Sequence, residues 1–401
     1  MKSQSLLTKV HAATLLLALS WPAIGQAQAD AQAAGHPGAP EATAAPEGAK
    51  PEGGKPEGRP SMEGAESANP ILLPGGLRIG GMFDASYERV GMNGSATSGQ
   101  NAFRNYHHFV FLSRQGQDIP IGFNAEIINQ TFYELTMRLW RKGPFRLSAH
   151  GGKILVPFGP DPLFHKNYGG QSAIDQRLLP TVWASYGAGL RAAGVLGGVS
   201  IAEDLYLVQG FDLMARDRVL DMQRDLQAYD GARVALGNRL SMAWGPLTLW
   251  YSAYYNSLRY GRRLLMQAVD LTLWRPSFPV LNRLAVGLGA VRAHVSRDNG
   301  RNLPDDLETG AYYHFSDYVW LRFYAASWLY LQARSGLATF DNYKGQFYDK
   351  ERATADDGSH HNVIVTAEYA GAQVSLGYYW NFEKVNETAN DFFRLMVRYA
   401  F

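Results

Sequence analysis

Cysteine is missing altogether from the 401 residues, which excludes disulfide frameworks, thiolate metal sites and thiol catalysis. Charge is scarce, at 18% Asp, Glu, Lys and Arg, and almost balanced at a formal +2. The concentrated basic face that nucleic acid calls for is therefore not expected. No window of residues 71–401 carries a convincing helical period, and no GxSxG, HExxH or GxxxxGKS pattern occurs. The pairs His107-His108 and His360-His361 lack the spaced partners of a metal site. His360 and His361 read as a solvated loop pair, with Asp356 and Asp357 near enough for weak cation binding. No catalytic residue, resident metal or cofactor is expected. What is plentiful is glycine, 42 residues, and aromatic side chains, 12% with 22 Tyr.

The first 29 residues read as a cleaved export signal: Lys2 and Lys9 precede an apolar stretch from Ala12 to Ile24, and Ala27-Gln28-Ala29 fits the small-residue cleavage rule before Asp30. The stretch is shorter than the roughly 20 residues of a spanning helix. Residues 30–70 repeat Pro-Glu-Gly units (PEGAKPEGGKPEGRP) with almost no branched or aromatic side chains. Such a segment cannot bury a core, and reads as a disordered, net acidic tail or a cell-wall contact.

Residues 71–401 alternate with period two, the signature of strands with one apolar face. Phe393, Leu395, Val397, Tyr399 and Phe401 share one face of the last segment, and Arg394, Met396, Arg398 and Ala400 the other. Sixteen strands are expected, near 77–90, 102–114, 119–129, 131–141, 145–156, 187–197, 199–212, 229–240, 247–259, 262–275, 282–295, 307–315, 318–332, 361–370, 372–384 and 391–401. Most exceed the roughly 9–11 residues of a tilted membrane-crossing strand. The connections sort by parity. Short turns at Lys142-Gly143-Pro144, Gly197-Gly198, Ser316-Asp317 and Gly371-Ala372 fall on one side. Long segments at 91–101, 157–186, 213–228, 296–306 and 333–360 fall on the other, with short exceptions near Gln130 and Gly261. This predicts an all-β fold, a transmembrane antiparallel β-barrel of about 16 strands.

With its export signal, alternating body and final strand ending in Phe401, the chain resembles a Gram-negative outer-membrane porin. Within that class, GGKILVPFGPDP at 151–162 is similar to the strand-to-loop segment of the phosphate-selective porin O and P family. The resemblance implies an outer-membrane location, a likeness to homotrimers, and a third loop, 157–186, folded inward as a constriction. Asp161, His165, Lys166, Asp175 and Arg177 would be its polar groups, and Phe164, Tyr168, Leu178, Leu179 and Trp183 would pack it against the wall. Two acids and two bases are fewer cations than phosphate selectivity wants.

Strand phase gives a separate set of inward candidates: Arg78, Arg104, Arg138, Arg146, Arg191, Arg233, Arg239, Arg322, Arg394 and Arg398, with Asp84, Glu88, Glu126, Glu134, Asp270, Glu368 and Glu383. Arginine dominates, and its fixed fork can pair with wall carboxylates while holding a local positive field. Tyr87, Trp140, Trp244, Trp274, Tyr330, Trp380 and Tyr399 suit interfacial girdles. In a sugar-selective channel Trp250, Tyr254, Trp328, Tyr330 and Tyr379 would instead face the solute. The expected function is passive diffusion of small hydrophilic solutes and ions with a slight anion preference. The alternatives are selectivity for phosphate-like anions or sugars, and a non-conducting structural barrel that binds the cell wall.

Overall fold

The computed structural model describes residues 70–91, 101–105, 108–114, 119–130, 132–159, 184–210, 234–258, 261–275, 281–296, 312–342, 358–383 and 391–401. The expected export signal, the tail up to residue 69, and residues 160–183 of the third connection lie outside them.

The strands are β1 (Ile71–Leu73), β2 (Leu77–Val90), β3 (Asn101–Arg104), β4 (His108–Arg114), β5 (Ile121–Glu126), β6 (Tyr133–Lys142), β7 (Phe145–Leu155), β8 (Ala184–Leu196) and β9 (Val199–Gln209). They continue with β10 (Val234–Trp244), β11 (Leu247–Ser257), β12 (Arg263–Trp274), β13 (Leu284–Val295), β14 (Tyr312–Ala326), β15 (Leu329–Asn342), β16 (Gly358–Tyr369), β17 (Ala372–Glu383) and β18 (Phe392–Ala400). All belong to one antiparallel sheet in which sequence neighbours pair. β3 and β4 both pair with β2 and share one place in the wall, and β1 is a short edge piece. The wall thus has 16 strands. It closes where β18 pairs with β2, from Phe392↔Val90 to Ala400↔Met82.

Closure makes period two into an inside and an outside. Along β11, Trp250, Ser252, Tyr254 and Asn256 are buried, while Leu249, Tyr251, Ala253 and Tyr255 between them are half-exposed. The exposed phase is apolar over most of the wall: Leu135, Leu205, Leu236, Val365, Leu376 and Val397 all point out. Water would penalise such a continuous apolar surface, whereas bilayer hydrocarbon does not. The described wall strands pair on both sides in a closed ladder, the arrangement that hydrocarbon requires of a spanning sheet.

Five connections at one end are two-residue turns, 143–144, 197–198, 245–246, 327–328 and 370–371, and longer ones join β4 to β5 and β12 to β13. At the other end the strands stop at Leu155, Gln209, Val295 and Asn342 and resume at Ala184, Val234, Tyr312 and Gly358. One expected hairpin is displaced. Ser316-Asp317 is not a turn but the middle of β14, where Ser316 Oγ donates to Leu337 O of β15. The turn is Ser327-Trp328, so much of the expected long segment 333–360 is strand β15. Ser-Asp has turn chemistry, but the ladder on both sides outweighs it. Trp274 and Tyr330 are also not girdle residues, since both turn inward and pack with Tyr324. His360 lies in β16, fully buried, not in a solvated loop.

Phe401 marks how the cylinder is finished. Its N–H donates to Gly81 O and its carbonyl accepts from Gly81 N–H. Below that point β2 continues to Leu77, and β1 takes up its vacated edge from Ile71↔Ile79 to Leu73↔Leu77.

Candidate channel interior

The inner wall divides into two sectors. On β9 to β14 it is largely apolar, with Val208, Leu264, Met266, Val291 and Val295 beside Tyr206, Tyr254, Tyr318 and Trp320. Three of these rings lie flat because a glycine on the next strand leaves room. A Cβ on Gly237 would meet Tyr206 Cζ at 2.5 Å, one on Gly287 would meet Trp320 Cε2 at 2.3 Å, and one on Gly289 would meet Tyr318 Cε1 at 2.6 Å. Over Gly289 the Tyr318 hydroxyl donates to Asp270 Oδ1 at 2.7 Å.

The opposite sector, from β15 through β18 to β5, is polar. Its buried side chains include Gln332, Arg334, Asn362, Thr366, Ser375, Asn381, Arg394, Arg398, Asp84, Glu88, Asn124 and Glu126. Across the closing seam Arg394 Nε donates to Glu88 Oε1 at 2.6 Å, and Arg104 Nε lies 3.0 Å from the other oxygen. The register sets Arg398 opposite Asp84 in the same way. Opposite charges at facing positions fix the register of a closing pair. His360 is held on both ring nitrogens, with Asn381 Oδ1 at 2.7 Å from Nδ1 and Asn362 Nδ2 at 3.1 Å from Nε2.

Between the sectors the chain leaving β7 runs into the interior. Val156 and Phe158 are buried in the apolar cluster with Tyr206 and Tyr254. Gly159, with φ of 76°, turns the chain where a Cβ would be strained. Its N–H donates to Ser252 Oγ at 3.0 Å, and its carbonyl accepts from Arg239 Nη1 at 3.3 Å. Arg239 is held in turn by Asp204, at 3.0 and 3.2 Å, and Asp204 also accepts from Arg191 at 3.2 Å. A peptide group carried by β7 is thereby fastened to β10 and β11 across the inside.

No protein-family model matches the chain, and no curated protein matches it. Solved structures do. The outer-membrane-expressed OmpT of Vibrio cholerae is 10% identical, with 82% of this chain and 100% of that one covered and a TM-score of 0.48. The outer-membrane channel DcaP of Acinetobacter baumannii is 9% identical, with 82% and 99% covered and a TM-score of 0.49. A porin refined at 1.8 Å is 10% identical over 81% of this chain and 100% of its own, with a TM-score of 0.46.

Of the residues singled out by sequence, Asp161, His165, Lys166, Asp175, Arg177 and Arg233 lie outside the described residues. Asp84, Glu88, Glu126, Arg239, Asp270, Arg322, Arg394 and Arg398 are buried on the inner face. Arg78, Glu134, Arg138, Arg146, Arg191 and Glu368 share that phase with partial burial. Glu134 accepts from His150 at 3.3 Å, and Arg104 is half-exposed at the seam. Arg322 sits among Trp274, Trp320 and Tyr330, 4.4 Å from the last ring, and donates to Gln332. Trp250, Tyr254, Tyr330 and Tyr379 turn inward and are buried, and Trp328 is exposed in a turn. Sequence reasoning missed Asp204, Arg334 and Ser252. Asp204 follows Glu203, and only the phase of β9 says which of the two acids turns inward.

Proposed function

We propose that this chain is an outer-membrane porin, a passive channel for small hydrophilic solutes and ions. One observation carries the reading: a closed wall that is apolar outside and charged inside, with the Val156 to Gly159 peptide fastened across its interior. A sheet of sixteen strands is wide enough to leave an aqueous lumen. The chain leaving β7 seats on the apolar sector, so the water path runs along the polar sector from β15 to β5. Inward arginines outnumber inward carboxylates, and that favours a slight anion preference. Asp161, His165, Lys166, Asp175 and Arg177 are proposed as the groups that narrow the path. The first 29 residues direct export, and 30–70 form the tail on the short-turn, periplasmic side.

Single-channel recording of the mature protein in a planar bilayer tests the reading. Stepwise openings with a reversal potential of anion-selective sign under a salt gradient are expected. Full insertion without conductance would overturn it and leave the structural barrel as the reading to pursue.

A further inference from the structure

The short-turn end of the inner wall gathers like charges. On β6, Arg138 and Arg141 stand three apart, which in a regular strand would put them on opposite faces. The register shifts between Arg138 and Trp140, so Arg138 pairs with Ser148 and Arg141 with Arg146. Ser148 and Arg146 share a face of β7. The bulge therefore turns Arg138, Arg141 and Arg146 to one side, the inner one, opposite to the exposed Leu135 and Met137. Arg78 joins them from the same end of β2, in phase with the buried Met82 and Asp84. Like charges placed directly opposite, as Arg141 and Arg146 are, destabilise an antiparallel pair. The carboxylates of β2 to β7 are committed further up the wall. Glu88 holds Arg394 and Arg104, Asp84 stands opposite Arg398, Glu126 accepts from Ile128 and Asn129 N–H, and Glu134 meets His150.

The same mouth receives the front of the mature chain. β1 runs toward the short-turn end, from Ile71 opposite Ile79 to Leu73 opposite Leu77, so Pro70 stands further into the wall than Leu73. Phe401 fills the next place on that edge, facing Gly81. No place in the line of the wall is left for residues ahead of Pro70. The outer side there carries Phe83 and Tyr399, both stacked on the Phe401 ring, and the inner side carries the arginines. Residues 30–69 hold seven carboxylates against Lys50, Lys55 and Arg59, and Glu63 and Glu66 are the charges nearest the barrel.

We propose that the acidic tail, residues 30–69, docks into this mouth and neutralises its arginines, the chain supplying its own counter-anion. A Gly-rich stretch of that length spans about 35 Å r.m.s.. Sixteen strands about 4.8 Å apart and tilted by about 40° enclose a mouth about 30 Å wide, so the tail reaches the whole cluster. Tethering also presents several linked carboxylates to several arginines at once, which no free anion can do. The inference rests on the reading of the barrel as a water-filled channel.

The absence of cysteine lets Ala65→Cys carry a single nitroxide label between Glu63 and Glu66. The labelled mature chain is reconstituted in phosphatidylcholine vesicles, with and without Arg141→Gln and Arg146→Gln, and the mobility of the label is read. It is expected to be held at about 0.1 M salt and freed at about 1 M, where the screening length falls from about 10 Å to about 3 Å. In the arginine variant it is expected to be free at both. Equal mobility with and without the two arginines, whether the tail is loose or is held by lipid, overturns the proposal. In planar bilayers, turning all seven tail carboxylates into amides is expected to raise the anion-to-cation permeability ratio about twofold. An unchanged ratio overturns the proposal as well. Absence of conductance in every variant would instead overturn the channel reading, while label mobility would still decide the docking, so the two failures are distinguishable.

Discussion

The two sectors of the inner wall are made by the same device, a strand with alternating faces, yet they are stabilised differently. From β9 to β14 the inward phase is mostly aliphatic and aromatic around a few paired polar groups such as Asp204 with Arg239, rings lie over glycines, and the chain leaving β7 is bound by burial of Val156 and Phe158. From β15 to β5 the inward phase is rich in Arg, Glu, Asp, Asn and Gln around a small cluster of Ile364, Tyr379 and Phe392, and is held by charge pairs such as Arg394 with Glu88. The contrast separates seating a chain segment from facing water. An apolar wall can hold a segment by area, whereas a polar wall must find a partner for each group or leave it to solvent.

The most damaging way to break this division is Arg239→Ala. It strips Asp204 of its main partner and Gly159 of a donor, and losing one side of a buried pair costs about 3–5 kcal/mol. Urea unfolding should show that loss, and bilayer recordings a larger and noisier conductance. Wild-type behaviour in both would show that the anchor is dispensable. Phe158→Ala comes next, with about 3 kcal/mol expected from an emptied aromatic site. Its conductance should also rise, because the seat is weakened without touching a charge. Gly289→Ala sharpens the comparison from inside the apolar sector. The new Cβ would stand 2.2 Å from Asp270 Oδ1, so the Asp270–Tyr318 bond must move, at about 1–3 kcal/mol. Thermal melting that leaves this variant unchanged would mean the ring is not held over Gly289. Glu88→Gln in the polar sector keeps an amide oxygen for Arg394 but loses the charge, at about 1.5–3 kcal/mol. Here the telling readout is the reversal potential, which should move toward anions because Arg394 and Arg104 stay charged. A shift toward cations would reverse the assignment of the water path.

Much of the wall was legible in the sequence because a half-buried strand declares itself every second residue. The first expected strand, 77–90, coincides with β2. The parity of short and long connections is legible for the same reason, since each hairpin must return the chain to the end it left. The β14–β15 hairpin was not. Ser316-Asp317 has turn chemistry and Ser327-Trp328 has little, and the ladder from Tyr312 to Asn342 decides between them. That displacement hid Arg334, which had been placed in a loop. The fastening of Gly159 was illegible for a different reason. Its partners Arg239 and Ser252 lie 80 and 93 positions away, and no local pattern announces which strand the chain will meet across the inside.

The short strand β1 has a practical consequence. β2 is the common neighbour of both ends of the wall, with Phe401 facing Gly81 and β1 continuing along the same edge. The Phe401 ring also lies where a Cβ on Gly81 would sit, 2.7 Å from its Cζ. An affinity tag appended after Phe401 would run head-on into Ile71–Leu73 and compete for the edge they occupy. Purification handles belong away from the Phe401 end.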